Sequence, residues 1–139
     1  GVVRHSLDGV LAEADILSLH VADVPATKDL IGPDEIAMMK QGAYFINTAR
    51  AAAVNPDALY QALSSGHLAA AALDVLWDEP VRADDRFVQL PNVIATPHLG
   101  GASRDVIKHQ SAMIVDGIEA WLRGDRPAHL ANPDVLARR

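Results

Sequence analysis

The sequence predicts an α/β domain organised around a parallel sheet, and three observations carry that reading. Short apolar runs of strand length recur at 15–20, 43–47, 69–75 and 93–96. Segments with helix-start signals lie among them, the alternation that builds strand–helix–strand units. Each apolar run also ends in polar residues, so chemistry-bearing side chains collect at the carboxyl ends of the strands, where such sheets bind ligands.

The elements follow in order. Ser6 has the side-chain oxygen to cap a short helix across Leu7–Ala14, with Asp8 near its positive end. Asp15 to His20 reads as a buried strand that finishes on a polar residue. Gly32-Pro33-Asp34-Glu35 opens a second helix, because proline suits the first helical position and acids suit the first turn. Ala43–Asn47 is the second strand. Asn55-Pro56-Asp57 repeats the start signal, and its helix stops at Gly66, where the chain favours glycine. Ala69–Val75 and Val93–Thr96 supply the third and fourth strands. The longest helix lies near the end, where Val106, Gln110, Met113, Ile114, Gly117, Ile118 and Trp121 mostly keep i, i+3, i+4, i+7 spacing. It ends by Gly124, and residues 127–139 read as a tail that packs back on something else.

Bulk properties narrow the function classes. A chain of 139 residues, half of them apolar, suffices for one domain with a core. The net charge of −6 and the lack of a basic run before Arg138-Arg139 argue against a nucleic-acid partner, since phosphate binding needs clustered Lys and Arg. The longest unbroken apolar stretch, Leu68–Leu73, is far short of the ~20 residues that span a bilayer. No charged segment followed by an apolar one opens the chain, so no secretory leader is read and a cytoplasmic protein is expected. Zero cysteines removes disulfides and thiolate metal sites, and no metal site is expected. Gly1-Val2-Val3-Arg4-His5 lacks an initiator methionine and runs at once into structured-looking sequence, so the chain reads as part of a longer protein.

The densest chemical signal is Thr96-Pro97-His98-Leu99-Gly100-Gly101. Pro97 stiffens the approach, and Gly100-Gly101 lets backbone come close to a ligand where a Cβ would obstruct. A histidine with a pKa near ~6.5 trades a proton at neutral pH. Upstream, the stretch from Leu73 to Pro80 supplies carboxylates. A carboxylate bonded to one ring nitrogen fixes the imidazole tautomer and raises its pKa; Glu79 and Asp78 both suit that task. Arg50, in Asn47-Thr48-Ala49-Arg50, stands at an apolar strand end, where a long cation is costly unless paired. It suits bidentate recognition of a carboxylate, although a surface arginine at a strand end is the plainer reading. Asp74 sits between Leu73 and Val75 inside a strand, and either caps a neighbouring helix or accepts a hydrogen bond from a ligand amide.

Taken in order, these motifs resemble those of the D-isomer-specific 2-hydroxyacid dehydrogenases, the family that includes phosphoglycerate dehydrogenase, glyoxylate reductase and formate dehydrogenase. Ser18-Leu19-His20-Val21 followed by Thr27 resembles the segment beside the adenosine portion of the cofactor, and Thr48-Ala49-Arg50 resembles the nicotinamide-contacting turn. Arg50, Glu79 and His98 match the catalytic three in order and context. The resemblance implies a Rossmann-like parallel sheet with flanking helices. Residues 1–124 would be the C-terminal part of a NAD(P)-binding domain, and 125–139 a tail returning toward a substrate domain. It implies NAD as cofactor, with NADP left open, a small 2-hydroxy or 2-oxo acid as substrate, and a homodimer for the full-length protein.

On that resemblance His98 exchanges the hydroxyl proton, Glu79 rather than Asp78 supports it, and Arg50 holds the substrate carboxylate. The implied cofactor contacts are His20, Val21, Thr27, Thr48, Ala49, Arg50, Asp74, His98, Gly100 and Gly101, with Asp74 on the nicotinamide carboxamide. A formate dehydrogenase, which needs no proton transfer, has no support in the residues. A non-catalytic NAD-sensing scaffold of the corepressor type, on the same fold, is the alternative from another class.

Departures are confined to detail within the matched motifs: Ala51 replaces the glycine usual after the arginine, Val54-Asn55-Pro56 replaces Val-Asp-Glu, and Ala22 replaces a proline. No G-x-G-x-x-G is present, nor a strand-borne acid for the adenosine ribose. The 139 residues alone are therefore expected to bind cofactor weakly or not at all, and to expose an apolar sheet edge that promotes association.

Overall fold

The computed structural model describes residues 1–138 and contains the parallel sheet. Strands β1 (Ile16–Leu19), β2 (Ala43–Asn47), β3 (Leu68–Leu73) and β4 (Val93–Ala95) lie side by side in chain order, every neighbouring pair parallel. Helix α1 (Leu7–Glu13) leads into β1, α2 (Pro33–Met38) links β1 to β2, and α3 (Pro56–Ser65) links β2 to β3. The start signals act as read. Ser6 Oγ accepts the Gly9 N–H at 3.2 Å. Glu35 accepts the Gly32 N–H at 3.0 Å. Asn55 Oδ1 accepts from both Asp57 and Ala58. Gly66 ends α3 with φ of 76°, a left-handed conformation that a Cβ would strain.

The core lies between the sheet and the α1–α3 layer, with Leu11, Leu17, Ile36, Phe45, Leu59, Leu68 and Leu73 buried in one cluster. One expectation about the sheet is corrected. The strands read as buried alternate instead: Leu17 and Leu19 face the core, whereas Ile16, Tyr44 and Ile94 on the other face are 60%, 51% and 70% exposed. The helices of this part of the chain cover one face only. The crossover from β3 to β4, residues 74–92, carries no α-helix. It is pinned by Phe87, which is fully buried, stacked on Trp77 at 4.8 Å and met edge-on by Tyr60 at 5.8 Å.

Contacts divide the chain into two units, Gly1–Gly100 with the sheet and a second from Gly101 onward. In the second, Ser103 caps α4 (Arg104–Leu122) by accepting the Val106 N–H at 3.1 Å, and Gly124 follows at φ 81°. None of α4 is buried. Its apolar stripe, including Met113, Ile114 and Ile118, instead lines a groove of about 570 Å³ shared with Pro127 and Leu130 of the same unit. A short 3-10 turn spans Pro133–Arg138, and Arg139 of the expected tail lies outside the described residues. Among the described residues no helix is long and apolar enough to cross a membrane, and no cluster of three metal-ligating side chains occurs.

Candidate functional site

The sheet register brings the polar residues together. Leu19 pairs with Asn47, Asn47 with Leu73, and Leu73 with Ala95, so the four strands end level. The next residues, His20, Thr48, Asp74 and Thr96, leave the same edge one step further on. Asp74 is thus not within a strand, as its apolar neighbours suggested, but just beyond the end of β3. Its N–H still donates to Asn47 O at 2.9 Å, which keeps the exit of β3 tied to that of β2.

Asp74 is 7% exposed, and its carboxylate is committed to the chain itself. Oδ1 accepts the Thr96 hydroxyl at 2.5 Å and the Leu99 N–H at 2.7 Å, and Oδ2 accepts the Gly100 N–H at 2.7 Å. Burial opposes its ionisation, but these three donors and the nearby His98 outweigh it and hold the carboxyl below its ordinary pKa. It caps no helix; it organises the loop that carries His98. The glycine at 100 has the same cause, since a Cβ there would lie 3.0 Å from Asp74 Oδ2. The close approach is made to Asp74, whereas Gly101 has open space around it.

His98 takes φ of 56°, the left-handed region that residues with a Cβ enter at a cost. From there Nδ1 lies 2.9 Å from Glu79 Oε2. Glu79, not its neighbour Asp78, is the acid that reaches the ring. The other Glu79 oxygen accepts a long bond from the Leu76 N–H at 3.4 Å. The hydrogen bond from His98 is the main reason the Glu79 carboxyl is held below its ordinary pKa, against partial burial and the charge of Asp74. A carboxylate only accepts, so Nδ1 carries a proton, and in the neutral ring this leaves Nε2 with the lone pair.

Arg50 follows a turn built by Asn47, which is 1% exposed: Asn47 Oδ1 accepts the Ala49 N–H and Nδ2 donates to Arg50 O, both at 3.0 Å. The cation is exposed and meets no carboxylate among the described residues; its only hydrogen bond goes to Ala49 O at 2.7 Å. The expected cost of a buried strand-end cation does not arise, because the turn carries Arg50 three residues beyond β2 into solvent. A cleft of about 360 Å³ brings Arg50, Glu79 and His98 together. Asp23, Ala51, Ala52 and the apolar run Val75-Leu76-Trp77 complete its lining. Sequence reading gave these no role. Trp77 had a signal, an aromatic residue between two chemical groups, and the structure anchors it through Nε1 to Val54 O at 3.2 Å.

The remaining candidates fall outside that cleft's lining. His20 Nε2 lies 2.9 Å from Ser18 Oγ, and Val21 packs partly against the core. The Thr27 hydroxyl donates to Ala22 O at 2.6 Å and accepts the Val24 N–H at 3.2 Å, closing its own turn. Thr48 is exposed at the sheet edge and Ala49 half-buried beside it.

Over residues 1–100 the sequence matches the family described as D-isomer specific 2-hydroxyacid dehydrogenase, NAD binding domain. It is 37% identical over 136 residues to a glyoxylate reductase from Korarchaeum cryptofilum, an alignment covering 98% of this chain and 41% of the relative. It is 39% identical over 136 residues to glyoxylate/hydroxypyruvate reductase B from Yersinia enterocolitica, covering 98% and 42%. Among solved structures, a D-isomer specific 2-hydroxyacid dehydrogenase from Xanthobacter autotrophicus Py2 in complex with NADPH and MES superposes with a TM-score of 0.81 at 34% identity. That match covers 93% of this chain and 52% of the other. The chain spans about two fifths of the length of the relatives it matches.

Proposed function

Because the chain belongs to the D-isomer specific 2-hydroxyacid dehydrogenase family, within its NAD-binding domain, we propose that it carries the proton-transfer and carboxylate-binding groups of a reaction interconverting 2-hydroxy and 2-oxo acids. The observation that supports this best is the 2.9 Å contact of His98 Nδ1 with Glu79, in one cleft with an arginine that has no acid partner among the described residues. The names of two relatives, a glyoxylate reductase and a glyoxylate/hydroxypyruvate reductase, favour a short acid as substrate.

The residues fit the nicotinamide end of a dinucleotide: an exposed Thr48–Arg50 turn stands beside a cleft with an apolar wall of Val75, Leu76 and Trp77. When bound, that cofactor supplies the hydride acceptor. Thr48, Ala49 and Arg50 would hold it on the β2 side, with His20, Val21 and Thr27 further along the edge and Asp74, His98, Gly100 and Gly101 on the other side. Asp74 would contribute chiefly through the loop it orders. Residues 1–124 would serve cofactor binding and 125–139 would return toward a substrate domain.

In oxidation, His98 Nε2 takes the substrate hydroxyl proton while the oxygen's electron pair closes the carbonyl and the C2 hydrogen departs with its own pair. Glu79 holds the imidazole in the required tautomer and offsets the charge it gains. Arg50 places the carboxylate with two parallel N–H donors, which fixes the face of C2 presented. Reduction runs the same transfers backward.

The test is an assay of the full-length gene product with NAD or NADP and a series of 2-hydroxy and 2-oxo acids. His98→Asn should lower turnover by about 10²-fold or more with little change in cofactor affinity. Arg50→Lys should raise substrate KM, because one mobile ammonium replaces a planar fork. Near-native turnover in His98→Asn would overturn the assignment. Cofactor binding by the wild type without turnover on any acid would favour the non-catalytic NAD-sensing scaffold instead.

A further inference from the structure

The loop of residues 96–100 poses a question that proton transfer by His98 does not answer: what holds a non-glycine residue in a left-handed conformation at φ 56°? Side chains with a Cβ disfavour that region, so surrounding groups must over-determine it. Four donors on the loop converge on one residue. The Thr96 hydroxyl and the Leu99 and Gly100 N–H groups go to the Asp74 carboxylate, and the His98 N–H goes to the Asp74 carbonyl at 2.9 Å. The grips fall on both sides of His98 in sequence, so its φ and ψ cannot relax without breaking at least one. Gly100 is drawn close enough that a Cβ would press on Asp74 Oδ2 at 3.0 Å.

We infer that Asp74 and Thr96 are positioning residues for His98: their hydrogen bond, with Gly100 closing the far side, clasps the loop in the conformation that aims Nδ1 at Glu79. The inference rests on the proton-transfer reading above. Neither residue needs to touch substrate for this role. Thr96 contributes through its hydroxyl, because its backbone N–H is already spent on Leu73 O at 3.0 Å in the β3–β4 ladder. Asn cannot replace Asp74, since three donors meet two acceptor oxygens and an amide offers only one.

The experiment is nitrogen NMR of the full 139-residue chain with labelled histidine, the His98 signals assigned through His98→Asn. In the wild type His98 should carry its proton on Nδ1 and leave Nε2 bare. Thr96→Val, nearly isosteric, should lose that signature and show mixed tautomers, while Thr96→Ser, which keeps the hydroxyl, should retain it. Asp74→Asn should behave like Thr96→Val; if it fails to fold, Thr96→Val decides alone, with backbone amide spectra establishing that the sheet is intact. In the full-length gene product Thr96→Val should cut turnover by about 10- to 10²-fold, the scale of a misplaced catalytic group, with cofactor affinity unchanged and Thr96→Ser close to wild type. A wild type with Nδ1–H and an unaltered Thr96→Val spectrum would overturn the clasp alone. A wild type lacking Nδ1–H would overturn the His98–Glu79 pairing and the clasp with it.

Discussion

At the scale of single residues, two carboxylates a few positions apart do different work because one is enclosed and the other is not. Asp74 is buried against three donors, so Asp74→Asn strands at least one of them against an N–H or an NH₂ group. The loss should be about 2 kcal/mol or more at neutral pH, the scale of hydrogen bonds to a charged group. Its pKa is depressed in the folded protein, so its stabilisation is complete above its unfolded value near ~3.9 and fades as pH falls through the folded value. Urea unfolding from pH 7 to pH 3 should therefore show the gap between wild type and Asp74→Asn narrowing below about pH 4; a constant gap would contradict the charge-assisted role. Glu79 has the same sign of shift, but its side chain and that of His98 are about two fifths exposed. Solvent screens such a pair, so Glu79→Gln should leave the unfolding midpoint close to wild type. Its effect belongs in the tautomer of His98 and in activity.

At the scale of elements, α3 shows local signals acting alone. Asn55 satisfies two N–H groups at its start, Pro56 occupies the position with no N–H to satisfy, and Gly66 turns the chain at its end. Asn55→Ala should cost about 1 kcal/mol. Gly66→Ala should cost about 1–2 kcal/mol purely through backbone conformation, since no atom stands within 4 Å of the added Cβ. The two ends are roughly 15 Å apart, so the double variant should lose close to the sum in denaturant titrations. A large departure from additivity would show that α3 frays as a unit. The β3–β4 crossover is the contrary case. Proline and acidic residues keep it irregular, and it is held down by the stacking of Phe87 on Trp77, the contact of Phe87 with Tyr60, and bonds from Trp77 to Val54 O, Arg86 to Asp57 and Asn92 to Leu63 O.

At the scale of the whole fold, the decisive fact is that within Gly1–Gly100 the parallel sheet has its own helices on one face. Sheets of this kind are ordinarily covered on both. Here Ile16, Tyr44 and Ile94 stand exposed on the second face, an apolar patch of the sort that drives association. The 139-residue chain should sediment as more than a monomer at micromolar concentration. Ile94→Lys combined with Tyr44→Lys should shift it toward monomer in analytical ultracentrifugation. A wild type that stays monomeric throughout would show that the patch is inert.

The order and type of the elements were legible in the sequence because caps, prolines and terminal glycines act over three or four residues. Asn55-Pro56 and Gly66 bound α3 as read, and Ala43–Asn47 is β2 residue for residue. The polar groups at the strand ends were legible for the same reason, as short motifs in fixed order. What the sequence could not carry was which distant partner each group would meet. Asp74 read as a ligand or helix-cap residue because its neighbours are apolar, yet its three donors come from 22 to 26 residues away. The choice of Glu79 over Asp78, the exposure of Arg50 beyond the Asn47 turn and the strained conformation of His98 are likewise set by register and loop packing. Local chain chemistry determines where a helix or strand begins and ends; only the closing of the sheet decides which side chains share a hydrogen bond, since that depends on distances through space between residues far apart in the chain.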